Sequence, residues 1–160
     1  MKRQAGFTII EMLIVVTILA MLAGILIPVL GDAAKSARDS RRATDLKSVQ
    51  SALEAYKRAN GVYPTTNGNW QGDSTADGGM GYDANGYIPG LVPTFAPTLP
   101  KDPDSRYPDA TNGYAYRSDG VDYKFVVKGT PESFPAGNPF YDPQAGNANW
   151  QVSSPGGYNW

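Results

Sequence analysis

The sequence GFTIIEMLIVVTILAMLAGILIPVL, residues 6–30, is an apolar stretch near the start of the chain. Between Met12 and Leu30 it contains no charged residue, and Thr17 is its only polar side chain. A helix of these ~19 residues is ~28 Å long, close to the ~30 Å thickness of the hydrocarbon core of a bilayer. The core helix of a soluble protein is rarely apolar on every face. The stretch therefore predicts a membrane-spanning helix.

A cleaved secretory signal peptide is the alternative for this stretch, because Lys2 and Arg3 precede it as basic residues precede export signals. The apolar run is longer than the ~7–15 residues of a signal peptide, and no clear Ala-x-Ala site ends it. Glu11 lies inside the run, where a carboxylate is costly unless it has a partner or lies at the level of the lipid headgroups. Both interpretations of Glu11 stay open on these grounds.

The segment GFTIIE, residues 6–11, resembles the processing site of the type IV pilin superfamily, which includes the pseudopilins of type II secretion. The resemblance implies that a membrane peptidase cuts after Gly6 and that the new N-terminal residue, Phe7, becomes N-methylated. It also implies that Glu11 pairs with the amino group of Phe7 on a neighbouring subunit during assembly. Pro28 stands at the spacing of the family's helix-breaking proline.

The helix is expected to cover about residues 7–59, with residues 7–30 in the membrane or the filament core. Pro28 lacks an N–H group and its ring clashes with the carbonyl of Gly24, so we expect a kink or a local loss of helix at 24–28. In residues 31–60 the helix becomes amphipathic. Its apolar stripe should pack on a sheet: Leu46, Val49, Ala52, Leu53 and Tyr56. The basic residues should take the other faces: Lys35, Arg38, Arg41, Arg42, Lys47, Lys57 and Arg58.

Arg38, Arg41 and Arg42 form a basic cluster with two interpretations. One is a solvated or subunit-facing surface of the helix. The other is a contact with nucleic acid, but no aromatic residues are interleaved and the acids Asp39 and Asp45 dilute the charge. We favour the first interpretation, so nucleic acid is not an expected partner.

Residues 61–160 are expected to form one globular head, because a chain of 160 residues has room for a single domain beyond the membrane helix. Residues 65–90 read as a long surface loop with little regular structure. Residues 112–128 predict a β-hairpin, because apolar and aromatic residues alternate on both sides of Asp119-Gly120. Residues 129–160 read as a loop-rich C-terminal tail. The fold class is therefore α+β, with the long helix packed on a small antiparallel sheet, and the family resemblance implies the lollipop form of pilins.

The composition excludes most catalytic chemistry. The chain has no cysteine and no histidine, which removes disulfides, Cys/His metal sites and His-based triads. The glycines do not lie between a strand and a helix as a phosphate-binding loop requires. The paired carboxylates at 102 and 104 and at 119 and 122 have the sequence context of turns. We therefore predict no catalytic residue and no enzymatic activity.

Calcium is the one cofactor that stays open, because it needs only clustered oxygen atoms. The resemblance to G-type pseudopilins implies a calcium site near the C-terminal side of the sheet. The acidic C-terminal stretch expected for such a site is not evident. The candidate ligands are Asp102, Asp104, Asp119 and Asp122.

The resemblance to the type IV pilin superfamily thus implies a structural subunit of a type IV pilus-like filament, processed by prepilin peptidase and assembled through its N-terminal helix. The segment Leu-Pro-Lys-Asp-Pro at 99–103, which resembles one in G-type pseudopilins, and the missing cysteine favour a type II secretion pseudopilin. The loop at 65–90 and the aromatic tail favour a surface pilin. The alternatives are a DNA-uptake pseudopilin and a single-pass anchored binding or adhesion module that does not polymerise.

The partners that the resemblance implies are further copies of the chain in a helical filament, prepilin peptidase, the inner-membrane assembly platform, minor pilins and, before assembly, membrane lipid. Lys2 and Arg3 predict a cytoplasmic N-terminus. The expected location is the bacterial cytoplasmic or inner membrane, followed by a periplasmic or extracellular filament. Residues 1–60 hold nine Lys/Arg and five Asp/Glu, and residues 61–160 hold five and ten, so stem and head carry opposite net charge.

Overall fold

The computed structural model of the chain describes residues 7–135 and 137–160. The chain divides between Ser36 and Ala37 into two units, each with its own internal contacts. One helix, α1 (Ile9–Asn60), begins in the first unit and ends in the second. The other elements all belong to the second unit: β1 (Gln71–Gly72), a 3-10 turn (Thr75–Asp77), β2 (Gly113–Ser118), β3 (Tyr123–Lys128), β4 (Tyr141–Asp142) and β5 (Gly146–Ser153).

In the first unit α1 is long and apolar enough to cross a membrane, judged by its length and composition. The helix continues through Gly24 and Pro28, so the expected loss of helix at 24–28 does not occur. A proline removes one N–H group from the helical hydrogen-bond ladder, and the turns on either side keep theirs. The apolar segment is therefore one continuous helix.

In the second unit α1 packs through the apolar stripe that the sequence predicts. Leu46 and Leu53 are completely buried, and Val49 and Ala52 nearly so. They share one core with alternate residues of the sheet: Tyr114, Tyr116, Tyr123, Phe125, Val127, Trp150 and Val152. The prediction of an amphipathic helix on a small sheet is confirmed.

The sheet is antiparallel and has five strands in the order β1-β2-β3-β5-β4. The predicted hairpin is β2 and β3, in which Tyr116 lies opposite Phe125. The interpretation of residues 129–160 as loop is wrong for β4 and β5, since β5 pairs with β3 on one side and with β4 on the other. Gly and Asn dominate the first half of β5, which hides the alternation of apolar residues there. Pairing with β3 makes this segment a strand.

Residues 65–90 are not simply a surface loop, although most of them lack regular structure. Tyr87 and Ile88 are completely buried. The Tyr87 ring stacks on Phe125 with centroids 6.2 Å apart, and its hydroxyl donates a hydrogen bond to the Pro100 carbonyl (2.8 Å). The segment therefore supplies part of the core, because Tyr87 and Ile88 are buried although their neighbours are mostly polar.

Candidate functional site

The N-terminal end of α1 is closed by Thr8 and Glu11. The Glu11 carboxylate accepts hydrogen bonds from the Thr8 N–H (2.8 Å) and the Thr8 hydroxyl (2.7 Å). In return the Glu11 N–H donates to the Thr8 hydroxyl oxygen (3.3 Å). This reciprocal pattern is a capping box, which gives side-chain acceptors to N–H groups that have no partner inside the helix. The Thr-x-x-Glu spacing was its signal in the sequence.

The helix that follows this cap presents apolar side chains on all sides of the first unit. The exposed fractions of its large apolar residues run from 44% at Met12 to 88% at Ile9. Such a surface requires lipid or protein around it. Within residues 7–135 and 137–160, both hydrogen-bond donors to the Glu11 carboxylate belong to Thr8, which carries no charge. Glu11 is therefore capped but not neutralised.

The predicted processing residues lie at this same end. Gly6 and the leader, residues 1–6, fall outside the described residues. Phe7 is 79% exposed and directly precedes the capping box, and Pro28 lies within the helix. Phe7 and Glu11 thus stand together at one end of an exposed apolar helix. Cleavage after Gly6, methylation of Phe7 and the assembly role of Glu11 stay predictions.

In the second unit Arg42 is completely buried. Its guanidinium donates two hydrogen bonds to Asp102, from Nε to Oδ2 (2.8 Å) and from Nη2 to Oδ1 (2.7 Å). A third runs from Nη1 to Asp39 Oδ1 (2.8 Å). Burial by itself lowers the pKa of Arg42, but the hydrogen bonds and negative charges of Asp102 and Asp39 raise it above its ordinary value. The prediction of a solvated face is therefore wrong for Arg42, because a carboxylate from another segment meets its planar fork.

Arg38 forms a second bidentate pair, with Glu132. Its Nη2 lies 2.7 Å from Glu132 Oε2, and its Nε donates to the other carboxylate oxygen. These hydrogen bonds lower the pKa of Glu132. Asp39 in turn accepts hydrogen bonds from the Glu132 N–H (3.0 Å) and the Ser133 hydroxyl (2.6 Å). We call Arg38, Asp39, Arg42, Asp102 and Glu132 the Arg42 network.

The Arg42 network gives the Leu-Pro-Lys-Asp-Pro segment at 99–103 a physical role. Leu99 is 2% exposed and belongs to the hydrophobic core. Asp102 reaches Arg42 and also accepts a hydrogen bond from the Thr130 hydroxyl (2.7 Å). This short segment thus connects the chain before β2 and the segment after β3 to the helix. Sequence analysis found the segment but not its partner.

Asp45, one turn further along α1, connects the helix directly to the sheet. Its Oδ2 accepts a hydrogen bond from the Tyr114 hydroxyl (2.9 Å), and its Oδ1 lies 3.2 Å from Arg41 Nε. Burial raises the pKa of Asp45, although both hydrogen bonds oppose the shift. Arg41 itself is largely exposed, which agrees with the predicted solvated face.

The four candidate calcium ligands do not form one group. Asp102 is bound by Arg42 and Thr130, and Asp104 by Arg106, whose hydrogen bonds lower the pKa of the Asp104 carboxyl. Asp119 accepts backbone N–H groups within the β2–β3 turn, and Asp122 accepts the Ser154 hydroxyl (2.6 Å). Across the described ranges, no cluster of three or more acidic side chains is arranged to hold a metal ion. These residues therefore do not fit a calcium site.

Lys124 on β3 is a buried charge that sequence analysis did not single out. It is 1% exposed, and its Nζ donates hydrogen bonds to Asp142 Oδ1 (2.9 Å) and to the main-chain oxygen of Trp160 (2.7 Å). The alternation of Tyr123, Lys124 and Phe125 places the lysine on the face of the sheet opposite the helix, where the pattern predicts solvent. The C-terminal segment covers it instead, which the local sequence does not reveal.

Comparison with known proteins agrees with the geometry of the N-terminal segment. Residues 1–27 match the family model described as the prokaryotic N-terminal methylation motif. The chain is similar to type II secretion system core protein G of Vibrio cholerae, with 34% identity over 140 residues, which cover 86% of this chain and 82% of that protein.

Two further relatives carry the same description and align over shorter stretches. The protein from Klebsiella pneumoniae is 35% identical over 92 residues, 55% of this chain and 66% of that protein. The protein from Aeromonas hydrophila is 37% identical over 65 residues, 41% of this chain and 46% of that protein. No solved structure matches the chain. Because the similarity to the Vibrio cholerae protein extends through the head as well as the helix, the chain belongs to the family of type II secretion system core protein G, the G-type pseudopilins.

Proposed function

We propose that this chain is the non-enzymatic structural subunit of a type II secretion pseudopilus. The observation that carries the proposal is the exposed apolar helix of residues 9–30, which a member of this family must cover with lipid or with other subunits. The second unit has a hydrophobic core of its own. In this proposal the first unit therefore serves assembly, and the second unit forms the folded head.

Before assembly, the apolar helix crosses the bacterial inner membrane as a single span. Lys2 and Arg3 keep the N-terminus in the cytoplasm, where prepilin peptidase removes residues 1–6. The membrane lipid then covers the side chains that are exposed in the isolated chain. Residues beyond the span, including the whole head, lie on the outer side of the membrane.

During assembly, neighbouring copies replace the lipid around the helix. Glu11 makes this exchange selective, because a carboxylate in an apolar core needs a cation. Thr8 satisfies the carboxylate with two hydrogen bonds but supplies no positive charge. Cleavage after Gly6 creates such a charge at the amino group of Phe7. In the proposed filament a neighbouring subunit brings its Phe7 amino group to Glu11, as the resemblance to the pilin superfamily implies.

Substitutions at Thr8 and Glu11 separate the capping role of Glu11 from its charge. Glutamine serves at this position of a capping box as glutamate does. Glu11→Gln should therefore keep the cap and the membrane insertion but lose filament assembly, as Glu11→Ala should. Thr8→Val should weaken the cap and leave the charge, so assembly should largely persist. The measurement is the yield of sheared or cross-linked filament per membrane-bound subunit.

Two outcomes would contradict the assembly mechanism. One is a normal filament yield from Glu11→Gln, which would assign Glu11 to helix capping alone. The other is a loss of membrane insertion in the same variant, because the missing filament would then reflect failed insertion and not a role of the Glu11 charge in assembly. The matched control is Thr17→Val, which removes another hydroxyl from the same helix, one that donates to the Ile14 carbonyl (2.8 Å).

The rival functions differ in what deletion of the chain abolishes. A secretion pseudopilin predicts loss of exported proteins from the medium, a surface pilin predicts loss of long pili, and a DNA-uptake pseudopilin predicts loss of transformation. An anchored binding module predicts none of these assembly defects and an uncleaved leader. The intact mass of the protein from its native membrane distinguishes this last case, since processing gives a chain that begins at N-methylated Phe7.

The proposed partners follow from the same assignment. They are further copies of this chain in a homo-oligomeric filament, prepilin peptidase, the inner-membrane assembly platform and minor pilins. In the Arg42 network the guanidinium groups of Arg38 and Arg42 are already paired with carboxylates. Neither group is therefore proposed to bind nucleic acid. The filament is proposed to extend from the inner membrane into the periplasm.

A further inference from the structure

We propose that the ammonium group of Lys124 is a built-in cation that holds the C-terminal segment on the sheet, so that the fold of the head does not depend on calcium. The resemblance to G-type pseudopilins implies calcium near the C-terminal side of the sheet, but among the described residues no group of three or more carboxylates is arranged to hold a metal ion. The inference uses the family membership and not the secretion function.

The site of Lys124 is enclosed and has its acceptors in place. Lys124 and Asp142 are 1% and 2% exposed. Nζ donates one hydrogen bond to Asp142 Oδ1 on β4 and another to the main-chain oxygen of Trp160 in the C-terminal segment. Asp142 Oδ1 also accepts the Gln144 N–H (3.0 Å), which fixes the carboxylate in the turn that follows β4. The ammonium therefore bridges two segments that are distant in sequence.

The C-terminal segment, residues 154–160, lies closely against β3 and the β2–β3 turn. The Gly156 N–H donates to Asp122 Oδ1 (3.1 Å), and the Arg117 guanidinium lies 4.8 Å from the centre of the Trp160 ring. A Cβ atom at Gly157 would lie 2.1 Å from the Tyr123 carbonyl oxygen, so only glycine permits this approach. Lys124 thus adds a contact at the end of the segment, at Trp160, to those made by Gly156 and Gly157.

The chemistry of the donor set suits an ammonium and not a divalent ion. Calcium takes six to eight oxygen ligands, usually with several carboxylates among them. An ammonium needs only a few acceptors for its three N–H groups, and one carboxylate balances its charge. Asp119 and Asp122 are nearby in sequence but accept backbone N–H groups and the Ser154 hydroxyl. Both carboxylates therefore already have hydrogen-bond donors, Asp119 within the β2–β3 turn and Asp122 on the C-terminal segment.

The first test needs no substitution. The full chain, solubilised in detergent, is unfolded by heat in millimolar calcium chloride and in excess EGTA, with tryptophan fluorescence as the signal. We expect the same Tm in both conditions. A Tm that calcium raises by several degrees would overturn the proposal.

The second test removes the ammonium with Lys124→Met, and the matched control is Lys101→Met at an exposed lysine. Loss of a buried charge partner should lower the Tm by roughly 10 °C, whereas the control should stay within about 2 °C. Hydrogen exchange of residues 154–160 should accelerate at least tenfold in Lys124→Met, also below its Tm. An unchanged Tm and unchanged exchange in this segment would refute the proposal.

A double-mutant cycle with Asp142→Asn keeps the proposal testable if Lys124→Met folds poorly. Asp142→Asn leaves the lysine in place and removes only the charge of its acceptor. The Tm loss of the double variant should be clearly smaller than the combined losses of the single variants, because the two changes remove one shared interaction. Additive losses would show that Lys124 and Asp142 act independently and would overturn the bridge.

Discussion

At the scale of single residues, the head contains buried charged side chains that sequence patterns place at the surface. Arg42 and Lys124 are both almost completely buried, and each is paired with a carboxylate from a distant segment. A buried pair of this kind contributes little when both partners are present, but the loss of one partner leaves an uncompensated charge. Single substitutions at these pairs therefore say more about the stability of the head than the number of its ion pairs does.

The first prediction concerns Arg42. Arg42→Met should lower the free energy of unfolding by about 3–5 kcal/mol, because it leaves Asp102 and Asp39 buried without their cation. Arg58→Met, at an exposed position near the end of the same helix, should change it by less than about 0.5 kcal/mol. Urea denaturation of the full chain in detergent measures both. Equal midpoints for the two variants would contradict the predicted cost of leaving Asp102 and Asp39 buried without their cation.

Asp73 is a buried acid with only neutral donors among its hydrogen-bond partners in the described part of the chain. Its Oδ1 accepts the Tyr114 N–H (2.8 Å) and its Oδ2 accepts the Tyr82 hydroxyl (3.2 Å). Burial raises its pKa to about 6, although both hydrogen bonds lower it. The folded state therefore holds this proton to a higher pH than the unfolded state, in which an aspartate titrates near ~3.9.

The second prediction follows from the sign of this shift. Between pH ~4 and ~6 the folded state binds more protons at Asp73, so its contribution to the free energy of unfolding falls as pH rises, by about 3 kcal/mol in all. Asp73→Asn keeps an oxygen for the Tyr114 N–H and removes the titration. The variant should gain stability relative to the native chain across this pH range. A difference between the two chains that is constant from pH 3.5 to 7.5 in urea denaturation would contradict the prediction.

At the scale of elements, β5 is a long strand that the sequence pattern does not predict. Trp150 is 5% exposed and packs on the rings of Phe140 and Phe134, with centroids 5.8 and 6.5 Å away. Its partner across the strand pair is Val127 on β3. The C-terminal aromatic residues therefore extend the core of the sheet, whereas Tyr141 and Tyr158 stay exposed.

The third prediction tests this assignment of β5. Trp150→Ala should cost about 3–5 kcal/mol of the free energy of unfolding, because it opens a cavity between β5 and its aromatic neighbours. Tyr141→Ala changes the residue that pairs with Trp150 on β4, and it should cost less than about 1 kcal/mol because Tyr141 is 42% exposed. Urea denaturation compares the two. Similar losses would indicate that β5 is a peripheral strand.

At the scale of the whole molecule, much of the charge difference between stem and head is used inside the second unit. Arg38 and Arg42 belong to the basic half of the sequence, and Asp102 and Glu132 to the acidic half. They pair with one another within the second unit. In the proposed filament, charge attraction between subunits is therefore expected to be weaker than the composition suggests. Covering the apolar helix remains the main source of assembly energy in the proposed filament.

The sequence by itself determined the features that local patterns encode. The apolar run at 7–30, the amphipathic stripe from Leu46 to Tyr56 and the hairpin around Asp119-Gly120 each depend on residues close together in the chain. Glu11 stood out as a functional candidate because a charge inside an apolar run is costly wherever the run lies.

Only the tertiary structure decided which charges are buried and which segments pair. Arg42 and Asp102 are 60 positions apart, and Lys124 and Trp160 are 36 apart, so no local pattern shows that they meet. The polar composition of β5 predicts a loop, and hydrogen bonds from β3 and β4 make it a strand. A buried charge or an irregular strand is stable only in the presence of its distant partner, and the free energy of such pairs belongs to the folded chain as a whole.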